Sequence, residues 1–183
     1  EIRLSLVGSE MCIRDSIWLR KWVYTDMSLR VKEFLVVVCL VAFVIFISRQ
    51  NSYTDVDATK IMDNIVQSTD MGDMEKFGNT EFKKSFGVNA NDYDGIAYYG
   101  HQSVMNSETI LVIRLKSEDQ GENIIDIINT LKETNMELFK SYAADQYKLL
   151  SESILEQKGK YVLYVVSEDA GSIEKAFTKS ITE

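Results

Sequence analysis

Histidine occurs once in this chain, at His101, and cysteine twice, at Cys12 and Cys39. A single histidine excludes a metal site built on two histidines, and it leaves His101 alone to serve any histidine-based triad. Both cysteines fall in the first quarter of the sequence, so the remainder has no disulfide, no thiol nucleophile and no cysteine metal site. An exported domain without disulfides suits a bacterial envelope better than a small secreted eukaryotic scaffold. Glycine-rich phosphate loops are missing too, because Gly95, Gly100 and Gly121 stand too far apart to form one.

What is present divides in two. Of 183 residues, 45% are hydrophobic and 26% charged, a globular composition of single-domain length. Up to Ser48, six basic residues face five acidic ones; from Arg49 onward, 14 basic residues face 23 acidic ones, a formal net of −9. An acidic domain is repelled by phosphate backbones and anionic head groups, which disfavours nucleic acid as a partner. The same charge also serves simple solubility.

The string from Leu6 to Asp15 (LVGSEMCIRD) resembles the translation of a sequencing adapter, which makes Met27 the expected start and residues 1–26 a non-native or disordered leader. Residues 27–33 then form a cytoplasmic basic segment with Arg30 and Lys32, followed by fourteen unbroken apolar residues from Phe34 to Ile47. At about 1.5 Å per residue that run spans about 21 Å, short of a hydrocarbon core of about 30 Å. Snorkelling by Lys32 and Arg49 extends it to about 27 Å. The run has no polar face, unlike a helix of a soluble core. Phe46 and Ser48 match a cleavage site poorly, and Val38 before Cys39 does not fit a lipidation site. Residues 34–48 are therefore expected to be a retained transmembrane signal anchor, with basic residues inside and the C-terminal part outside the cell. Residues 49–56 read as a short polar tether without proline or glycine, and 57–183 as the extracytoplasmic domain.

Within that domain Asp57 is placed to cap a helix carrying Ile61 and Ile65 on one face. The stretch Met71 to Asn91 reads as a short helix plus turns. Strands are predicted at Ile96–Tyr99 and Thr109–Leu115, with Gln102–Glu108 as the loop between them. A long helix from about Asp119 to Tyr147 carries Ile124, Ile128, Leu131, Leu138 and Tyr142 at helical spacing. A second hairpin joins Ser153–Gln157 to Tyr161–Ser167 through Lys158-Gly159-Lys160, and a last helix runs from about Ala170 to Ile181. The expected fold is α+β: a four-stranded antiparallel sheet of two hairpins, a long central helix and flanking helices, preceded by one transmembrane helix. Tyr161–Ser167 is apolar on both faces, so it should be a central strand covered on both sides. The long helix and the C-terminal helix are expected to cover one face, and the segment from Asp57 to Phe86 or a partner the other.

The run Gly159-Lys160-Tyr161-Val162-Leu163-Tyr164-Val165-Val166-Ser167-Glu168-Asp169, with Ile173 and Phe177 after it, resembles the closing segment of the bacterial domain-of-unknown-function family 4358. The strand pair near Tyr93-Asp94-Gly95 and the helix after Glu118 fit in the same order, so the likeness covers roughly Val56 to Ile181. The resemblance implies an exported, envelope-associated domain of Gram-positive bacteria. Many members look like lipoproteins, from which this chain departs by lacking a lipidated cysteine. It transfers no catalytic residue.

No motif for chemistry emerges from the residues themselves. Asp92 and Asp94 fail as a calcium loop: counted back from Gly95, its first ligand position falls on Ala90 and its last on His101. In a turn before a glycine, two acids are ordinarily turn residues. Glu168 and Asp169 open a helix, where carboxylates complement its dipole. No cofactor, metal site or catalytic residue is assigned. The expected function is a non-enzymatic binding or interaction domain at the outer face of a bacterial membrane, held there by its N-terminal helix and meeting an envelope protein or ligand. The alternative is an envelope hydrolase or transferase using a carboxylate pair. Ala97, Tyr99 and His101 alternate along the first strand, so Tyr99 and His101 are the expected binding surface.

Overall fold

The computed structural model describes residues 29–50 and 53–182, with side chains given for 31–45 in the first of these segments. The chain forms two compact units, one ending at Asn51 and one beginning at Ser52. The expected leader 1–26 lies outside the described residues.

The first unit contains helix α1, Leu29–Gln50. Its apolar side chains are exposed on every side, Phe34 at 70% and Phe43 at 63% among them. Among the described residues, no helix is long and apolar enough to cross a membrane. α1 has 22 residues, but its unbroken apolar run, Phe34 to Ile47, covers about 21 Å against the roughly 30 Å of a hydrocarbon core.

The second unit is mixed α and β. Its elements are α2 (Ala58–Ser68), β1 (Glu75–Phe77), α3 (Asn79–Phe86), a 3-10 turn (Ala90–Asp92), β2 (Gly95–Gly100), β3 (Thr109–Arg114), α4 (Gln120–Phe139), α5 (Ala144–Ser151), β4 (Ile154–Lys158), β5 (Tyr161–Val166) and α6 (Ala170–Thr182). The sheet is antiparallel throughout in the order β1-β2-β3-β5-β4. It has five strands rather than the expected four. The addition is β1, whose three residues pair Lys76 with Tyr99 and Phe77 with Tyr98. A three-residue strand is too short to show alternation, and its charged Glu75 and Lys76 suit an edge position. Both predicted hairpins form, β2 with β3 and β4 with β5.

β5 is central and buried at all six positions, as its doubly apolar sequence implies. The helices that cover it are distributed otherwise than expected. One face packs Ile110, Val112, Leu163 and Val165 against α2 and α6, through Ile61, Ile65, Ile173 and Phe177. The opposite face packs Leu111, Ile113, Val162 and Tyr164 against α3, α4 and α5, through Phe82, Phe86, Ile124, Ile128, Phe139 and Leu150. The long helix and the C-terminal helix thus lie on opposite faces, and the segment Asp57 to Phe86 supplies one helix to each. The chain order explains this: α4 and α5 connect β3 to β4, whereas α6 leaves the end of β5 and pairs with α2.

Asp57 caps α2 as predicted, its carboxylate accepting the Thr59 amide at 3.0 Å. The predicted single helix over 119–147 is two, broken at residues 140–143. Neither glycine nor proline marks the break. It lets the chain turn back so that Leu150, 1% exposed, reaches the same core as Phe139. The described part of the tether is docked on the domain. Thr54 donates its amide to Ile181 O at 2.8 Å, and Val56 donates its amide to the Tyr161 hydroxyl at 2.8 Å. That hydroxyl in turn lies 2.8 Å from Val56 O and 3.2 Å from Thr54 O, while Arg114 joins Asp55 at 2.6 Å to Asp94 at 3.1 Å. Gly159, at φ 57°, makes the β4–β5 turn, and a Cβ there would come within 2.6 Å of the Tyr53 ring.

Candidate functional site

The sheet has two unlike ends. At one, Gly95, Arg114 and Tyr161 lie in register and the chain enters through Tyr53 to Val56. At the other, Gly100, Thr109 and Val166 lie in register, and the loop 101–108 crosses from β2 to β3. A cavity of about 260 Å³ opens at this second end, on the face covered by α3, α4 and α5. Its apolar wall is Phe86, Leu131, Phe139 and Leu150; Tyr98 and Tyr164 reach it from the sheet, and the loop supplies the polar mouth.

The mouth is held by its own side chains. His101 Nε2 lies 3.0 Å from Glu108 Oε2, which also accepts from Asn106 Nδ2 at 3.1 Å. Asn106 Oδ1 accepts the Glu108 amide at 2.8 Å, and Gln146 Oε1 of α5 accepts both the amide and the hydroxyl of Ser107, at 2.7 and 2.8 Å. The two ionisable groups of the mouth therefore engage one another. Val104 of the mouth stands in water (88% exposed), as do Met105 (56%) in the same loop and, at the end of α4 and just beyond it, Leu138 (56%) and Tyr142 (57%). Outside α1, no other large hydrophobic side chain among the described residues is exposed.

Two phenols line the interior. The Tyr98 hydroxyl shares a hydrogen bond of 3.3 Å with Ser85 Oγ. Burial raises its pKa, and the Ser85 hydrogen bond offsets part of the rise. Tyr164 is 3% exposed and its hydroxyl has no hydrogen-bond partner among the described residues. Burial pushes that phenol far above its ordinary range, with neighbouring Tyr98 adding to the effect. Sealed, unpaired side-chain oxygens among the described residues belong to Thr69 and Ser153. The Tyr164 oxygen is unpaired without being sealed, and it opens onto the cavity. A buried phenol without a partner is uncommon, because its desolvation is then uncompensated.

Tyr99 and His101 do not share a face. Tyr99 is half-buried against the cluster of α2 and α6, whereas His101 lines the cavity on the other face. The alternation stops at Gly100, where β2 ends and the loop turns His101 towards Glu108. Asp92 and Asp94 are far from the cavity: Asp94 pairs with Arg114 at the chain-entry end, and Asp92 lies in the 3-10 turn beside it. Glu168 and Asp169 are exposed ahead of α6. Sequence reasoning missed Tyr164 and Glu108. The available signal was a tyrosine within the aliphatic strand Tyr161–Val166, since its hydroxyl needs a partner that the strand does not provide.

Among the described residues, no group of three or more His, Cys, Asp or Glu side chains is arranged to hold a metal ion. A family model described as "Domain of unknown function (DUF4358)" matches residues 67–167, more than half of the chain and the whole of the cavity lining. No curated protein and no solved structure matches the chain. The chain belongs to the DUF4358 family, a domain of unknown function.

Proposed function

We propose that this chain is a non-enzymatic binding module, anchored by its N-terminal helix with the domain on the outer face of a bacterial membrane, and that the cavity is its ligand site. The observation that carries the reading is the Tyr164 hydroxyl, 97% removed from solvent with its residue, unpaired among the described residues, and open to the cavity. A group of that kind gains from a ligand that supplies its hydrogen bond. The cavity holds one carboxylate, Glu108, already bonded to His101 and Asn106, so a pair of free facing acids is not at hand. For the anchor, the support is α1, whose sequence FLVVVCLVAFVIFI is apolar around its whole circumference and follows Arg30 and Lys32.

The test has two parts. In a Cys12→Ser, Cys39→Ser background, Val104→Cys should react with a membrane-impermeant maleimide on intact cells; reaction only after lysis contradicts the topology. The full chain should also unfold at a higher temperature in the presence of a soluble digest of Gram-positive envelope, since a ligand of the folded state stabilises it by mass action. Tyr164→Phe should lose that rise. Breakdown of the digest by the protein would overturn the non-enzymatic reading.

A further inference from the structure

From the chemistry of the cavity wall we infer that the ligand is a neutral saccharide, with one ring seated in the cavity and its neighbours on the apolar rim. This rests on the cavity being a ligand site. Charge is the first argument. His101 and Glu108 satisfy one another at 3.0 Å, and the domain is acidic overall. An anion entering would meet no free cation at the wall, and a cation would find its only carboxylate engaged.

The distribution of polar and carbon surface is the second. Hydroxyl and primary amide groups, which both donate and accept, come from Tyr98, Tyr164 and Asn135. Leu131 and Phe139, one turn to either side of Asn135 on the same face of α4, offer only carbon. A pyranose ring has the complementary division: hydroxyls around its edge and an apolar face of C–H groups. Phenols are protonated at neutral pH, and burial raises the pKa of both of these further, so both are available as donors there. The size also agrees, since about 260 Å³ admits one ring and excludes a folded partner. Tyr142, 57% exposed and 5.6 Å from Phe139 between ring centroids, continues the aromatic surface of the cavity wall to a ring in water. A second ring leaving the cavity would lie against it.

Calorimetric titration of the full chain, held in a phosphocholine detergent to avoid sugar head groups, decides the matter with named probes. These are N-acetylglucosamine tetramer, cellotetraose, glucuronic acid and trialanine amide. The expected result is binding of at least one neutral tetrasaccharide and none of glucuronic acid. Tyr164→Phe should weaken that binding about tenfold, the loss of one buried hydrogen bond. Tyr142→Ala should weaken the tetrasaccharide while leaving unchanged the binding of its single neutral sugar, N-acetylglucosamine or glucose, titrated alongside, a pattern that a merely misfolded variant cannot give. Binding of trialanine amide alone, sensitive to Tyr164→Phe, overturns the saccharide and leaves the cavity as a ligand site. Saccharide binding indifferent to Tyr164→Phe overturns this placement of the ligand. No binding of any probe overturns the saccharide inference, and the envelope-digest experiment then decides the module reading separately.

Discussion

The two faces of the sheet are built from different materials. The face under α2 and α6 is mostly aliphatic, with Ile61, Ile65, Ile110, Val112, Leu163, Val165, Ile173 and Ile181 all fully buried. The face under α3, α4 and α5 holds Phe82, Phe86, Tyr93, Tyr98, Phe139 and Tyr164, with edge-to-face contacts such as Phe86–Tyr98 at 5.5 Å. Branched aliphatic chains fill space evenly and leave no polar atom behind. Large rings with hydroxyls leave gaps between them and must find partners for their oxygens. The aliphatic face therefore closes the fold, and the aromatic face holds the cavity.

The largest expected effects separate these roles. Phe177, 0% exposed, packs on the aliphatic face, so Phe177→Ala should cost about 3–5 kcal/mol in denaturant unfolding. Phe139→Ala should cost measurably less, because Phe139 already borders open space. Equal losses would remove the distinction between the faces.

An intermediate effect belongs to Tyr161, the one tyrosine of the aliphatic face whose hydroxyl is fully engaged, by the backbone of Thr54 and Val56. Tyr161→Phe should cost about 1–3 kcal/mol, because it leaves the Val56 amide and a carbonyl without their partner. Hydrogen exchange at Val56 should speed up, while exchange in β3 should change only by the global loss. Unchanged exchange at Val56 would mean that the tether is held by other contacts.

Alkaline solution should act through the aromatic face. Tyr98, Tyr93 and Tyr164 all have pKa values raised above the ordinary 10.0, chiefly by burial. Above pH 10 the unfolded chain releases those protons while the folded domain retains them, so folding stability falls as pH rises. Below pH 10 these groups are protonated in both states and contribute no slope. Tyr164→Phe should make the alkaline loss shallower; an unchanged slope would show that Tyr164 titrates normally. At neutral pH the same substitution should raise stability, by up to about 1–3 kcal/mol, since it removes a buried hydroxyl whose desolvation no hydrogen bond in the fold offsets.

Much of the aliphatic face was legible in the sequence. Asp57 with Ile61 and Ile65 marks α2, Ile173 and Phe177 mark α6, and the doubly apolar Tyr161–Val166 marks the central strand. These signals are periodic and local. The aromatic face was less legible because its features depend on contacts distant in sequence. β1 exists only through pairing with β2, and the break before Ala144 only through the core that Leu150 enters. The cavity depends on residues from Ser85 to Tyr164 meeting at one end of the sheet. His101 was singled out as the sole histidine, yet its partner Glu108 lies across a loop whose course has no periodicity.

The most direct test of the central claim, that the aromatic face carries the ligand site, is a titration of the full chain with ring-labelled tyrosine. Followed by NMR on adding N-acetylglucosamine tetramer or a soluble envelope digest, the ring signals of Tyr98 and Tyr164 should shift together and saturably. Those of Tyr161, on the aliphatic face, should stay in place. Saturable shifts at Tyr161 with Tyr98 and Tyr164 unmoved would contradict the account.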